Sequence, residues 1–150
     1  MNIVVDIDHR QDLFVLSQAQ EALIRKAIET CYELEGLPED YEVSLSFVMN
    51  AEIQELNRVY RGKNEPTDVL SFPMEGPSDA PEKLLGDIVI SVEKMAEQAE
   101  EYGHGINREM VYLVVHSVLH LMGYDHLDDM AKAVMRRKEE AVLEQLALSR

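Results

Sequence analysis

Residues 110–122, MVYLVVHSVLHLM, are apolar at almost every position. A helix made from such a run has little hydrated face to offer, so it belongs in a core and the other elements must be arranged around it. Two histidines, His116 and His120, interrupt the run. Four residues apart on a helix, their rings leave the same face one turn above the other. Gly123 follows at a position suited to a left-handed cap, which turns the chain sharply and swings His126 back toward the first two. Three of the five histidines therefore fall within residues 116–126. Three imidazoles converging from a helix and its exit turn make a trigonal base for a tetrahedral metal with the fourth position open, the pattern of catalytic rather than structural zinc. A lone histidine on an apolar face is usually a satisfied core residue; this spacing, with a glycine between the second and third, is much harder to explain that way.

The rest of the chain supplies elements to bury that helix. Residues 2–8 and 41–48 alternate and read as strands. Between them Ser17 and Gln20 form a capping-box pattern opening a helix to about Glu35, which Gly36 and Pro38 stop. Asn50 is expected to cap a short helix through Leu56 and Tyr60. Residues 61–67, RGKNEPT, read as a loop, 68–72 as a short strand closed by Pro73, 75–83 as an exposed loop and 86–91 as a further strand. Ser91 is placed to cap an acidic helix to about Tyr102. The apolar helix runs from about Asn107 to Met122, and Asp128 or Asp129 starts a last amphipathic helix to about Leu146. The order β-α-β-α-β-β-α-α-α predicts one α+β domain over residues 1–150, a small mixed four-stranded sheet packed by about five helices.

Composition narrows the function classes. The chain has 46% apolar and 29% charged residues, ordinary for a soluble globular protein. Its N-terminus, MNIVVDIDHRQD, carries early acids and no long apolar run, so neither a signal peptide nor a membrane span is expected. Cys31 is the only cysteine, which removes internal disulfides and cysteine-based zinc clusters, and a cytoplasmic location fits. Its spacing from Ile24 and Ile28 suits a small buried residue. The net charge of −15 argues against broad, nonspecific nucleic-acid binding but leaves room for local positive charge. Arg58, Arg61 and Lys63 form one basic group; Lys132, Arg136, Arg137 and Lys138 form another, read as a solvated helix face.

A metal on three neutral imidazoles points to hydrolysis, because such an ion activates water near neutral pH and polarises a carbonyl or phosphoryl oxygen. The histidine spacing is that of the metzincin proteases, in which a glutamate follows the first histidine and acts as general base. Here that place is Ser117, a small residue suited to close packing that cannot replace a carboxylate as base, so peptide hydrolysis by that route is disfavoured. Arg61, by contrast, offers a planar fork matched to phosphate oxygens if its segment faces the metal. Asp125, Asp68 and Lys63 are further candidates, Asp125 for holding a ligand imidazole or, equally, for stabilising its turn. Tyr124 reads as packing, and His9 and His104 have no assigned role.

The segments LNRVYRGKNEPTDVLSFP (56–73), LGDIVIS (85–91) and HSVLHLMGYDH (116–126) resemble the YbeY family of bacterial metal-dependent endoribonucleases. The resemblance implies a zincin-like fold, one zinc on His116, His120 and His126, and an arginine important for activity at Arg61. It also implies action on single-stranded RNA, in maturation of the 16S rRNA 3′ end and in ribosome quality control, beside the small subunit or its assembly proteins. The family commonly has glycine where Ser117 stands, a small change expected to spare the site. Internal attack by the RNA 2′-OH and direct attack by a metal-bound hydroxide both remain open. The rival readings are a metzincin-like metalloprotease and a noncatalytic assembly factor with structural zinc.

Overall fold

The computed structural model describes residues 3–38, 41–73 and 83–148. Its elements follow the expected order: β1 (Val4–His9), α1 (Gln18–Glu35), β2 (Tyr41–Val48), α2 (Asn50–Arg61), β3 (Val69–Pro73), β4 (Lys83–Ser91), α3 (Val92–Glu101), α4 (Ile106–Leu121) and α5 (Asp129–Gln145). The four strands form one sheet in the order β1-β2-β4-β3. β1 and β2 pair in parallel, as do β2 and β4, while β3 runs antiparallel to β4. Among the described residues the chain therefore forms a single mixed sheet with five helices.

Local chemistry sets the boundaries. Ser17 Oγ accepts from the Gln20 amide at 3.1 Å while Gln20 Oε1 accepts from the Ser17 amide at 3.0 Å, closing the capping box. Ser91 and Asp128 cap α3 and α5 by accepting from the Lys94 and Ala131 amides. Asn50 does not cap α2. The cap is Met49, whose side chain cannot accept, and the Asn50 amide donates instead to Glu93 Oε1 of α3 at 2.8 Å. A neighbouring helix thus supplies the acceptor that local sequence lacked. β1 reaches His9, and the predicted 75–83 loop lies outside the described residues except for Lys83, which opens β4.

Alternation along β4 divides the interior. Ile88 and Ile90 join the main core with Val43, Leu45 and Phe47 of β2, Ile24 and Ile28 of α1, and most of α4. Val89, facing the other way, joins Val48, Leu70 and Ile53 of α2 in a smaller cluster. α4 packs against α1, α3, α5 and the sheet. Val111, Val114, Val115 and Val118 are wholly buried, so the expectation of a helix central to the core is met. Gly86 sits where β4 carries an extra residue relative to β2 and where α4 presses on the sheet: a Cβ there would lie 2.5 Å from the Phe72 carbonyl oxygen and 2.6 Å from Leu121 Cδ2. No helix among the described residues is long and apolar enough to cross a membrane.

Candidate metal centre and cleft

Four side chains of α4 with polar groups fall on one stripe. Glu109, Tyr112, His116 and His120 follow one another at intervals of three or four residues, the spacing that keeps side chains on one helical face. After Leu121 the chain leaves the helix through a Schellman turn: the Gly123 amide donates to the His120 carbonyl and the Tyr124 amide to the Leu119 carbonyl, both at 3.0 Å. Gly123 has φ +105°, where a side chain would be strained. The turn returns His126 to the helix face. Ring centroids of the three histidines lie 4.7, 5.0 and 5.8 Å apart. One nitrogen from each falls within 4.8 Å of the others.

The donor set fits a metal ion. Ligand nitrogens about 2.0–2.1 Å from a tetrahedral zinc stand roughly 3.4 Å apart, so ring rotations of an ångström or so bring these three onto one ion. His116 and His120 are half-buried and His126 is exposed, which gives a site anchored in protein and open on one side. Burial first, then the charges of His116 and His126, and also Arg61, hold the His120 imidazole below its usual pKa. That favours the neutral form a metal requires.

A carboxylate that the sequence reading missed completes the support. Glu139 of α5 is 6% exposed, and its Oε2 lies 2.5 Å from His116 Nδ1. The carboxylate fixes the Nδ1–H tautomer and leaves Nε2 for a metal. Its signal in sequence is an acid on the apolar stripe of α5, among Met135, Val142 and Leu143. Asp125, a candidate for such support, uses Oδ1 to accept from the Leu127 amide at 3.3 Å, the turn-stabilising alternative. Tyr124 donates to Glu35, and Lys138 pairs with the same glutamate at 3.1 Å, so α1 and α5 both hold the turn that carries His126. Ser117 is fully buried with Oγ unpaired among the described residues, in keeping with a packing role.

Two of the three histidines, His116 and His126, line a cleft of about 680 Å³ together with Tyr112, Glu139, Lys132 and Arg136, among others. The second basic group is solvated, as expected: Lys132, Arg136 and Arg137 are exposed, and the first two also line this cleft. Asp68 lines it too, its Oδ1 accepting from the Val69 amide at 2.8 Å and its Oδ2 from Gln98 Nε2 at 3.2 Å. Arg61, expected in a loop, is the last residue of α2 and is capped by Gly62 with φ +71°. It is exposed, and its charge acts on His120. Lys63 is exposed, its amide donating to the Asn57 carbonyl. Arg58 is occupied by Glu55. Deeper in, Glu109 Oε2 meets His104 Nε2 at 2.6 Å, and Arg108 Nη1 meets His104 Nδ1 at 2.7 Å.

The sequence matches the family described as Endoribonuclease YbeY over residues 6–147. A protein named Endoribonuclease YbeY from Alkaliphilus oremlandii is 60% identical over 147 residues, spanning 96% of this chain and 97% of that protein. A protein of the same name from Finegoldia magna is 44% identical over 146 residues, 97% of this chain and 95% of that one. The solution structure of TM1509 from Thermotoga maritima matches with a TM-score of 0.61 and 28% identity, covering 96% of this chain and 92% of that one.

Proposed function

The chain belongs to the YbeY endoribonuclease family, and from that premise we propose that it is a zinc-dependent endoribonuclease that cuts single-stranded RNA. The observation that carries the reading is the convergence of three imidazole nitrogens within 4.8 Å, with His116 and His126 of the three lining a cleft. His116, His120 and His126 would hold the ion, with Glu139 keeping His116 in the tautomer that binds. Such an ion, when bound, supplies polarisation of a phosphoryl oxygen and activation of water near neutral pH. Arg61 presents its fork to the scissile phosphate and offsets charge as the bond breaks. The half-buried walls exclude part of the bulk water, which strengthens both contacts.

In the cell the substrate is ribosomal RNA, with the 3′ end of 16S rRNA and defective ribosomes as its context and the cytoplasm as its place. A net charge of −15 limits how much RNA the protein can hold electrostatically, so a partner on the small subunit or among its assembly proteins supplies much of the selectivity.

The deciding experiment offers the zinc-loaded protein a single-stranded oligoribonucleotide, an RNA duplex and an unstructured peptide. Cleavage of the single strand alone, abolished by a chelator and restored by zinc, is expected. Arg61→Lys should lose most cleavage and keep its zinc, because a point charge cannot replace a bidentate fork. His120→Ala should remain folded and lose both zinc and activity. Peptide cleavage would instead support the protease reading, and unfolding of His120→Ala a structural zinc.

A further inference from the structure

Resting on the reading of the site as one that cuts RNA, we propose that Lys132 and Arg136 of α5 form a phosphate track holding the RNA strand where it leaves the metal centre. The two residues are one helical turn apart and line the same cleft as His116 and His126. Their neighbours on α5 are otherwise engaged: Lys138 pairs with Glu35 at 3.1 Å, and Glu139 holds His116. The rise between them, about 6 Å at 1.5 Å per residue, is comparable with the step between consecutive phosphates of a single strand.

The pair is available for such a role. Lys132 makes no ion pair among the described residues, and Arg136 meets only Glu140, at 3.7 Å with both side chains exposed. An exposed pair of that length contributes little and is readily exchanged for a phosphate. Carboxylates also line the cleft, but several are committed: Glu139 to His116, Glu109 to His104, and Asp68 to Val69 and Gln98. On a chain of net charge −15, Lys132 and Arg136 are the lysine and arginine among the residues lining the cleft, beside the exposed Glu140 and Glu144, and they are the groups there that attract a polyanion.

The test measures cleavage of a fluorescent, unpaired oligoribonucleotide by the zinc-loaded protein over a range of salt concentrations. Lys132→Ala and Arg136→Ala should each raise KM several-fold, and the double variant about tenfold or more, with kcat and zinc content unchanged. Each lost contact should lower the salt dependence of log KM by about 0.7, the contribution of one phosphate contact on a single strand. Arg136→Lys should restore most of the affinity, since a phosphate accepts a point charge. Arg137→Ala, one residue away on the same helix, should change neither quantity. A double variant with KM within twofold of the parent and the same salt slope overturns the track while leaving the endoribonuclease reading intact. An equal loss in Arg137→Ala also overturns it, by reducing the effect to overall charge. A parent that binds zinc and cuts no RNA removes both.

Discussion

The Glu139–His116 contact gives the sharpest test of the metal centre. Replacing Glu139 by Gln keeps the shape and an oxygen that can accept from His116 Nδ1, but removes the charge. A hydrogen bond to a charged group contributes about 1.5–3 kcal/mol and a neutral one about 0.5–1.5, so the exchange costs the imidazole about 1–1.5 kcal/mol of support. At 1.4 kcal/mol per tenfold, zinc affinity should fall roughly tenfold. Glu139→Ala leaves the Nδ1–H without its acceptor in a site where Glu139 is only 6% exposed, and should approach the hundredfold end of what loss of such support does. Competition against a chromophoric chelator at fixed pH reads both affinities. Melting curves of the metal-free variants separate loss of support from loss of fold. A Gln variant with parental zinc affinity and an unchanged melting curve would refute the assignment, because the carboxylate would then be a structural partner only.

Three further outcomes follow from packing and titration. Gly86→Ala drives a methyl group against the Phe72 carbonyl oxygen and Leu121, and should destabilise the protein by about 1–3 kcal/mol in a denaturant titration. Burial, with Glu35 nearby, raises the Cys31 thiol from 9.0 to about 12. Because the folded value lies above the unfolded one, stability is fully present below pH 9 and should decline as pH rises toward 12, and the native thiol should resist alkylation until the chain unfolds. Asp128→Ala removes the cap of α5 and should cost about 1 kcal/mol, read as a shift in the denaturation midpoint.

Most of the fold could be read from local patterns because its signals are local. Ser17 and Gln20 close a box within four residues, Gly36, Gly62 and Gly123 take the positive φ that ends helices, and the apolar run at 110–122 becomes the helix at the centre of the core. The convergence of the three histidines was legible for the same reason, since a helix and its exit turn bring all three together within residues 116–126. What escaped depends on contacts between distant segments. Asn50 looks like a cap, yet the acceptor at that helix start is Glu93 of α3. The loop character of RGKNEPT hid the fact that Arg61 ends α2. On α5, Lys132 and Arg136 look like any charged surface until α4 is placed beside them.

The position of Glu139 also bears on why the metzincin spacing does not imply metzincin chemistry. In those proteases the glutamate next to the first histidine serves as the base, so it must reach the open side of the metal. At that place this chain has Ser117, fully buried and turned into the core. Its carboxylate comes from another helix and meets His116 through Nδ1, the nitrogen that a metal on Nε2 leaves behind. The carboxylate, engaged with His116 Nδ1, would set the tautomer and orientation of that imidazole if the three histidines hold a metal, a positioning role and not that of a base. On the proposed reading the group offered to the substrate would be the Arg61 guanidinium, whose fork matches a phosphodiester and has no comparable partner in a peptide bond. Placing a glutamate at position 117 would not convert one chemistry into the other: the site is wholly buried, and a charged side chain there should destabilise the core long before it met water.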